Sequence, residues 1–161
     1  MKKPLIVVTG VNGQLGWSIQ NIANNYSEFD FLFADRNLLD LSNPVAIPDF
    51  FKQYQPQYFI NCAAYTAVDK AETEQELALI INATSVGEIA KQCAAINATL
   101  ITISTDYVFD GNGTAPHTTT QATAPLNYYG YSKWLGEKLA LENNPQTIVI
   151  RTSWVYCEHG N

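Results

Sequence analysis

The chain of 161 residues has few of the residues that build metal-rich or disulfide-stabilised proteins. Its three cysteines are Cys62, Cys93 and Cys157, an odd number without a close pair. This spacing argues against a disulfide framework and against a zinc site. We therefore expect reduced and mostly buried thiols, which are typical of a cytoplasmic protein.

Basic residues and long apolar runs are also scarce. Nine lysines and arginines stand against fifteen aspartates and glutamates, which gives a net charge of -6. No long-range field then favours nucleic acid or an anionic membrane, so we expect neither as a partner. The apolar run that ends at Val8 imitates a signal peptide but is too short for one, and far too short to span a bilayer. Repeats, low-complexity tracts and obvious linkers are missing as well.

What the chain does contain is a regular alternation of short apolar runs and helical patterns. With 47% hydrophobic residues it can bury a core as one domain. The predicted strands share β-branched, apolar composition and cover residues 5–9, 29–34, 58–62, 100–104 and 147–152. The predicted helices cover residues 14–24, a stretch opened by Pro44, residues 82–96 and residues 127–142. Such alternation predicts an α/β fold with a doubly wound parallel sheet of the Rossmann type and about five strands.

Three glycines, Gly10, Gly13 and Gly16, follow the first predicted strand and open the first predicted helix. Glycine allows the backbone to turn sharply and to approach a ligand closely. A helix N-terminus adds free N–H groups and a positive dipole end that suit a pyrophosphate. The glycine turn therefore predicts a dinucleotide site, although its spacing is one residue longer than the common fingerprint.

The end of the second predicted strand carries two charged candidates for the adenosine half of that ligand. Asp35 lies about twenty residues beyond the glycines, where a carboxylate can accept hydrogen bonds from the ribose. Arg36 follows it and could instead hold a 2′-phosphate. The pair leaves open whether the ligand is NAD or NADP.

A tyrosine and a lysine four residues apart, Tyr129 and Lys133, fall on one face of the last predicted helix. A nearby ammonium favours the phenolate, so we expect Lys133 to lower the pKa of Tyr129 and make it a proton donor to a carbonyl oxygen. Tyr128 and Tyr131 lack such a lysine. Thr105, at the end of the fourth predicted strand, is the accompanying hydroxyl, with Ser104 as its alternative.

Four longer segments resemble the dTDP-4-dehydrorhamnose reductases of the extended short-chain dehydrogenase/reductase superfamily. They share specific residue strings and are I-N-C-A-A-Y-T-A-V-D-K-A-E at 60–72, S-T-D-Y-V-F-D-G at 104–111, P-L-N-Y-Y-G-Y-S-K at 125–133 and R-T-S-W-V-Y at 151–156. The resemblance implies an enzyme that uses NADPH or NADH to reduce the C4 keto group of dTDP-4-dehydro-L-rhamnose to dTDP-L-rhamnose.

The resemblance also implies roles for individual residues. Those implied to bind the cofactor are Gly13, Gln14 and Leu15 at the pyrophosphate, Asp40 and Leu41 at the adenine, and Ala63, Ala64, Tyr65 and Thr66 along its far side. Tyr129 would be the proton donor, and Lys133 would tune it and bond the nicotinamide ribose. Thr105, Asp106 and Trp154 would contact the sugar.

Two departures from the family limit what the resemblance implies. Ser18 stands where some relatives carry a glutamate used in metal-assisted dimerisation, so we assign no metal, while a homodimer stays an option. Family members carry nearly as many residues again. We therefore expect residues 1–161 to be a cofactor-binding domain without the C-terminal substrate portion, inactive alone.

Two other functions stay open at the level of sequence. One is a non-catalytic, NADP-binding regulatory subunit that resembles the methionine adenosyltransferase beta subunit, and the other is a related NAD-dependent sugar-nucleotide epimerase or dehydratase. The presence of Thr105, Tyr129 and Lys133 together favours the reductase.

Overall fold

Five strands pair in one parallel sheet whose order is β2-β1-β3-β4-β5. The computed structural model describes residues 2–112 and 115–159. The strands are β1 (Leu5–Thr9), β2 (Asp30–Ala34), β3 (Tyr58–Asn61), β4 (Thr99–Thr105) and β5 (Ile148–Thr152). All four strand pairings are parallel. The predicted fold class and strand number are thereby confirmed.

Helices connect the strands and cover the sheet. They are α1 (Gln14–Ala23), α2 (Ile47–Tyr54), α3 (Val68–Ala71), α4 (Gln75–Leu79), α5 (Ser85–Ala95) and α6 (Tyr128–Asn143). Pro44 opens a 3-10 turn just before α2, as proline suits a first turn. The side chain of Asn127 caps α6 by accepting a hydrogen bond from the N–H of Gly130 at 2.8 Å. Among the described helices, none has the length and apolar character needed to cross a membrane.

The two faces of the sheet are covered unequally. On one face α2, α5 and α6 bury a large core that includes Phe51, Phe59 and Leu100. On the other face α1 covers Ile6 and Val8. Isoleucines on this second face of β4 and β5 form a row that is partly open to solvent, consisting of Ile101, Ile103, Ile148 and Ile150.

The strand order reverses between β1 and β3, and this is the point at which ligands bind in open parallel sheets. Gly10 lies directly after β1 with a φ of +68°, a left-handed conformation that favours glycine. A Cβ on Gly10 would lie 2.5 Å from the backbone nitrogen of Ala63 and from the carbonyl carbon of Cys62. The loops after β1 and β3 therefore touch, and only a glycine allows that approach.

The segment before α5 differs from the prediction of one regular helix. Residues Ile80–Thr84 form a π-helical turn before α5 begins. All three cysteines are free thiols, and Cys93 is buried, whereas Cys62 and Cys157 are partly exposed, so the expectation of mostly buried thiols is met by Cys93 alone. Burial raises the pKa of the thiols of Cys62 and Cys93 to about 12, so both stay protonated at neutral pH.

Candidate functional site

A cleft of about 1120 Å³ opens at the carboxyl ends of the strands, and residues that follow all five strands line it. The residues that line the cleft include almost every residue that the sequence predicted for the site. These are Gly10, Gly13, Gln14, Leu15, Asp35, Arg36, Asp40, Leu41, Ala63, Ala64, Tyr65, Thr66, Thr105, Asp106, Tyr129, Lys133 and Trp154. Residues more than a hundred positions apart thus meet in one place.

The three glycines of the turn differ in what they do. Gly16, which was predicted to bind the cofactor, is buried, and a Cβ there would collide with the carbonyl of Gly10. Its physical role in the structure is therefore close packing of α1 beneath the turn. Gly13 is exposed, lines the cleft, and has ordinary helix-cap dihedrals with φ -87°.

The N-terminus of α1 fits an anionic ligand. Gly13 is its cap residue and offers no side chain to satisfy the first N–H groups, and the first turn contains no acidic residue. These unsatisfied N–H groups and the positive end of the helix dipole favour a negatively charged ligand at this position. A side chain on Gly13 would occupy this cradle. The geometry fits the pyrophosphate of a dinucleotide.

The end of β2 separates the two candidates for the adenosine half. The carboxylate of Asp35 accepts hydrogen bonds from the backbone N–H groups of Asn37 and Leu38, each at 3.0 Å. Arg36 is exposed and lines the cleft, and within residues 2–112 and 115–159 its guanidinium makes no salt bridge. Asp35 therefore stabilises its own turn, whereas Arg36 is available to an anion.

Asp40 lies further along the same loop. Its carboxylate accepts a hydrogen bond from the N–H of Ser42 at 2.9 Å, and this bond is the main reason that the pKa of Asp40 lies below its usual value. Asp40 is thus a fixed negative charge beside the cleft at neutral pH.

The segment 63–66, which follows β3 and forms one wall of the cleft, is held in place by Asn82, a residue that sequence reasoning did not identify. The Asn82 amide oxygen accepts from the N–H of Tyr65 at 2.8 Å, and its nitrogen donates to the carbonyl of Tyr65 at 2.9 Å. The same nitrogen donates to the Ser132 hydroxyl at 3.0 Å, which in turn donates to the carbonyl of Tyr129 at 2.7 Å. Asn82 therefore fixes the wall relative to α6.

Tyr129 and Lys133 lie in the first turns of α6 and are both largely buried. The Lys133 ammonium donates a hydrogen bond to the carbonyl of Ile103 at 2.7 Å. Burial raises the pKa of Tyr129, and the Thr105 hydroxyl beside the phenol opposes that rise. The expectation that Lys133 lowers the pKa of Tyr129 is not met in this structure, because burial raises that pKa and the neighbouring Asp106 and Tyr107 raise it further.

The hydroxyl that acts on the Tyr129 phenol is that of Thr105 rather than that of Ser104, since Thr105 lowers the pKa of Tyr129. Thr105 ends β4, donates to the Asp106 carboxylate at 3.1 Å and accepts from the N–H of Tyr107 at 3.3 Å. The Tyr107 ring packs edge-on against Tyr129, with centroids 5.6 Å apart. Ser104 is buried, and its hydroxyl has no hydrogen-bond partner among the described residues. Thr105, Asp106 and Tyr129 therefore form one polar cluster.

The rival tyrosines lie elsewhere on α6. Tyr131 is 39% exposed, and its ring lies 5.7 Å from that of Tyr128. The lining of the cleft within the described chain includes Tyr129 but neither rival. Trp154 also lines the cleft but is 91% exposed, with a positive φ of 53°.

The family described as the RmlD substrate binding domain matches residues 2–161. The chain belongs to this family. The dTDP-4-dehydrorhamnose reductase of Escherichia coli strain K12 is 45% identical over 159 residues, which cover 97% of this chain and 53% of that protein. The chain thus spans about half the length of the curated relatives it matches. The resemblance inferred from the motifs is confirmed.

Solved structures of two relatives share the fold of this member of the RmlD substrate binding domain family. The dTDP-4-dehydrorhamnose reductase of Bacillus anthracis, in complex with NADP, has a TM-score of 0.94 and 38% identity, covering all of this chain and 57% of that one. The Clostridium acetobutylicum reductase has a TM-score of 0.93 and 39% identity, covering 98% of this chain and 55% of that one.

Chemically, this member of the family combines an anion cradle with a buried acid–base cluster. The cradle at Gly13 and the Tyr129–Lys133 pair line the same cleft. Such an arrangement can orient a dinucleotide along the strand ends and move a proton where its reactive end lies. Sequence reasoning missed Tyr107 and Asn82. A polar residue within an otherwise apolar helical pattern was the available signal for Asn82.

Proposed function

We propose that residues 1–161 form the NADP-binding domain of a dTDP-4-dehydrorhamnose reductase. The reaction is reduction of the C4 keto group of dTDP-4-dehydro-L-rhamnose to the alcohol of dTDP-L-rhamnose. The observation that carries the proposal is that Thr105, Tyr129 and Lys133 meet in the cleft that the glycine cradle also lines. A non-catalytic binding module has no need of this cluster.

The preferred cofactor in this proposal is NADPH. Arg36 lines the cleft without a salt-bridge partner in the described part of the chain, and Asp35 is engaged in its own turn. Arginine suits a 2′-phosphate because its planar fork matches phosphate oxygens. NADH remains the alternative, and the Bacillus anthracis relative that binds NADP supports the first choice.

The proposed roles of the binding residues follow the cleft from end to end. Gly13, Gln14 and Leu15 would hold the pyrophosphate with backbone N–H groups, and Asp40 and Leu41 would border the adenine. Residues 63–66 would line the opposite side. Each of these residues lies in the cleft lining.

In the proposed chemistry the bound NADPH supplies a hydride to C4. Tyr129 donates its phenolic proton to the C4 oxygen, so the ketone gains one hydride and one proton. The resulting phenolate is unfavourable in a buried site, where the Thr105 hydroxyl favours it. In the proposal the Lys133 ammonium, which lines the same cleft, would add positive charge that stabilises it in the transition state. Asp106 and Trp154 would orient the sugar at the mouth of the cleft.

The remaining aspects of the proposal concern the protein as a whole. We propose a cytoplasmic enzyme that acts on a nucleotide sugar, with a homodimer as an option for its assembly, and we assign no metal site to this chain. Among the described residues no group of three His, Cys, Asp or Glu side chains could hold a metal ion.

The decisive experiment compares Tyr129→Phe with Tyr131→Phe in the complete protein. One acid–base group is worth roughly 10²–10⁴-fold in rate, so Tyr129→Phe should lower kcat by that factor with little change in NADPH affinity. Tyr131→Phe removes the same hydroxyl from the exposed side of α6 and should leave kcat unchanged. A slow Tyr131→Phe enzyme with a normal Tyr129→Phe enzyme would refute the assignment.

A further inference from the structure

Glu137 is a buried acid on α6 that the proposed chemistry does not use. Its side chain is 6% exposed, and Arg151 of β5 grips it with two hydrogen bonds, from Nε at 2.9 Å and from the terminal nitrogen Nη2. The Arg151 guanidinium also lies 5.1 Å from the Phe109 ring centroid. Because Arg151 donates to both of its oxygens, the Glu137 carboxylate has a fixed position.

Glu137 lies one helical turn after Lys133, so both side chains are on the same face of α6. Both line a narrow space between α6, β4 and the π-helical turn, together with Asn82, Thr102 and Ser104. These three other residues are polar and neutral. Glu137 is therefore the anion that shares the buried layer with the Lys133 ammonium.

Lys133 needs such an anion because its own contacts do not compensate for its charge. Its ammonium donates to the neutral carbonyl of Ile103, and among the described residues no carboxylate lies within ion-pair distance of it. Burial lowers the pKa of Lys133 to about 8, and Glu137 acts against that fall. Without Glu137 the ammonium would lose its proton more easily.

We infer that Glu137 is a positioning residue that keeps Lys133 charged for the proposed reaction, and that Arg151 holds Glu137 in place for this role. The inference rests on the proposed function only for the role of Lys133 beside Tyr129 in the proposed reaction. The charge relationship itself is a property of the chain without any ligand.

The other groups around Lys133 come from four parts of the fold. α6 also contributes Tyr129, β5 contributes Arg151 through Glu137, and Asp106 follows β4 in the lining of the same cleft. The π-helical turn contributes the neutral Asn82. Glu137 is the member of this set that shares both the helix face and the buried layer with Lys133.

The test is a pH titration of Lys133 by NMR, with lysine labelled with ¹³C at Cε and the Lys133→Met variant used to assign its signal. In the wild-type chain the signal should titrate near pH 8. In Glu137→Gln the midpoint should fall by about one pH unit, since a neighbouring opposite charge typically shifts a pKa by about 1–3 units. Glu137→Asp retains the charge and should restore most of the wild-type midpoint.

A matched control is present on the same helix. Lys138 and Glu142 have the same i,i+4 spacing, but their side chains are 56% and 57% exposed. Glu142→Gln should leave the titration of Lys133 unchanged. A Glu137→Gln chain that is folded and retains the wild-type Lys133 midpoint would overturn the inference.

If Glu137→Gln does not fold, the double variant Glu137→Leu/Arg151→Met replaces the pair by apolar groups, which folded proteins often tolerate. It should lower the Lys133 midpoint as well, and an unchanged midpoint there would refute the inference. NADPH affinity measured in parallel should drop at a lower pH in Glu137→Gln than in the wild type. Failure of the wild-type chain to bind NADPH would instead contradict the proposed function, so the two failures are distinguishable.

Discussion

A single substitution at Gly13 separates binding from folding more cleanly than one at either neighbouring glycine. The φ of Gly13 is -87°, which any residue adopts, and a Cβ there would lie 3.3 Å from the Gly10 carbonyl oxygen. That contact is tight but requires a shift of only a few tenths of an ångström. Gly13→Val should therefore fold, with a loss of about 1 kcal/mol in the free energy of unfolding.

The cost for ligand binding is larger, because the new side chain enters the cradle at the start of α1. Hydrogen bonds to a charged group contribute about 1.5–3 kcal/mol each, and the helix dipole contributes up to about 2 kcal/mol. Loss of one such bond and part of the dipole term amounts to about 3 kcal/mol. Since about 1.4 kcal/mol is tenfold in affinity, NADPH should bind roughly 100-fold more weakly.

The assay is a fluorescence titration with NADPH, together with urea denaturation of the same samples. Gly10→Ala is the contrasting variant, because its left-handed φ and its contact with Ala63 and Cys62 predict misfolding rather than selective loss of binding. A Gly13→Val chain with wild-type stability and wild-type NADPH affinity would show that the pyrophosphate does not lie at this turn.

Three further predictions follow from charges and exposed surfaces. Arg36→Gln should weaken NADPH binding more than NADH binding. If paired titrations showed equal losses of affinity for both cofactors, Arg36 would not be a ligand of the 2′-phosphate. Because burial lowers the pKa of Lys133 from 10.5 to about 8, the unfolded chain binds more protons between these values. Stability should therefore rise with pH across that window and Lys133→Met should flatten the slope in urea denaturation, whereas an equal slope in both chains would contradict the burial of a charged lysine. Ile148 and Ile150, 48% and 41% exposed on the edge strand, should promote self-association. Replacing both by lysine should lower the sedimentation coefficient at high concentration, and wild-type chains that remain monomeric there would argue against an adhesive surface.

The sequence predicts the sheet well because a buried parallel strand is a nearly continuous apolar run. β1 has the bounds that its composition predicts, and the predicted ends of the other strands lie within one residue of the observed ones. The short helices α3 and α4 are harder to predict, because a helix of one turn has no room for a hydrophobic period. The π-helical turn at Ile80–Thr84 depends on tertiary packing, which local propensity does not encode.

For the site, the sequence predicts which residues meet, but not how each is engaged. Gly16 has the same spacing as Gly13, yet it packs beneath the turn, a distinction that becomes visible only in three dimensions. The direction of the Tyr129 pKa also depends on burial, which spacing on a helix does not reveal. Glu137 and Arg151 are fourteen residues apart on different elements, so no local pattern marks them as a pair.

Every strand of the sheet ends at the cleft, so the lining is drawn from residues between Thr9 and His159. A ligand that fills the cleft would contact residues at the ends of all five strands rather than those of one loop. Such a ligand should stabilise the folded state against global unfolding, because it binds only the folded chain. At a hundred times its Kd it adds about 2.7 kcal/mol to the free energy of unfolding. Amide hydrogen exchange should accordingly slow together in the central strands β1, β3 and β4, although their sequence positions span residues 5–105.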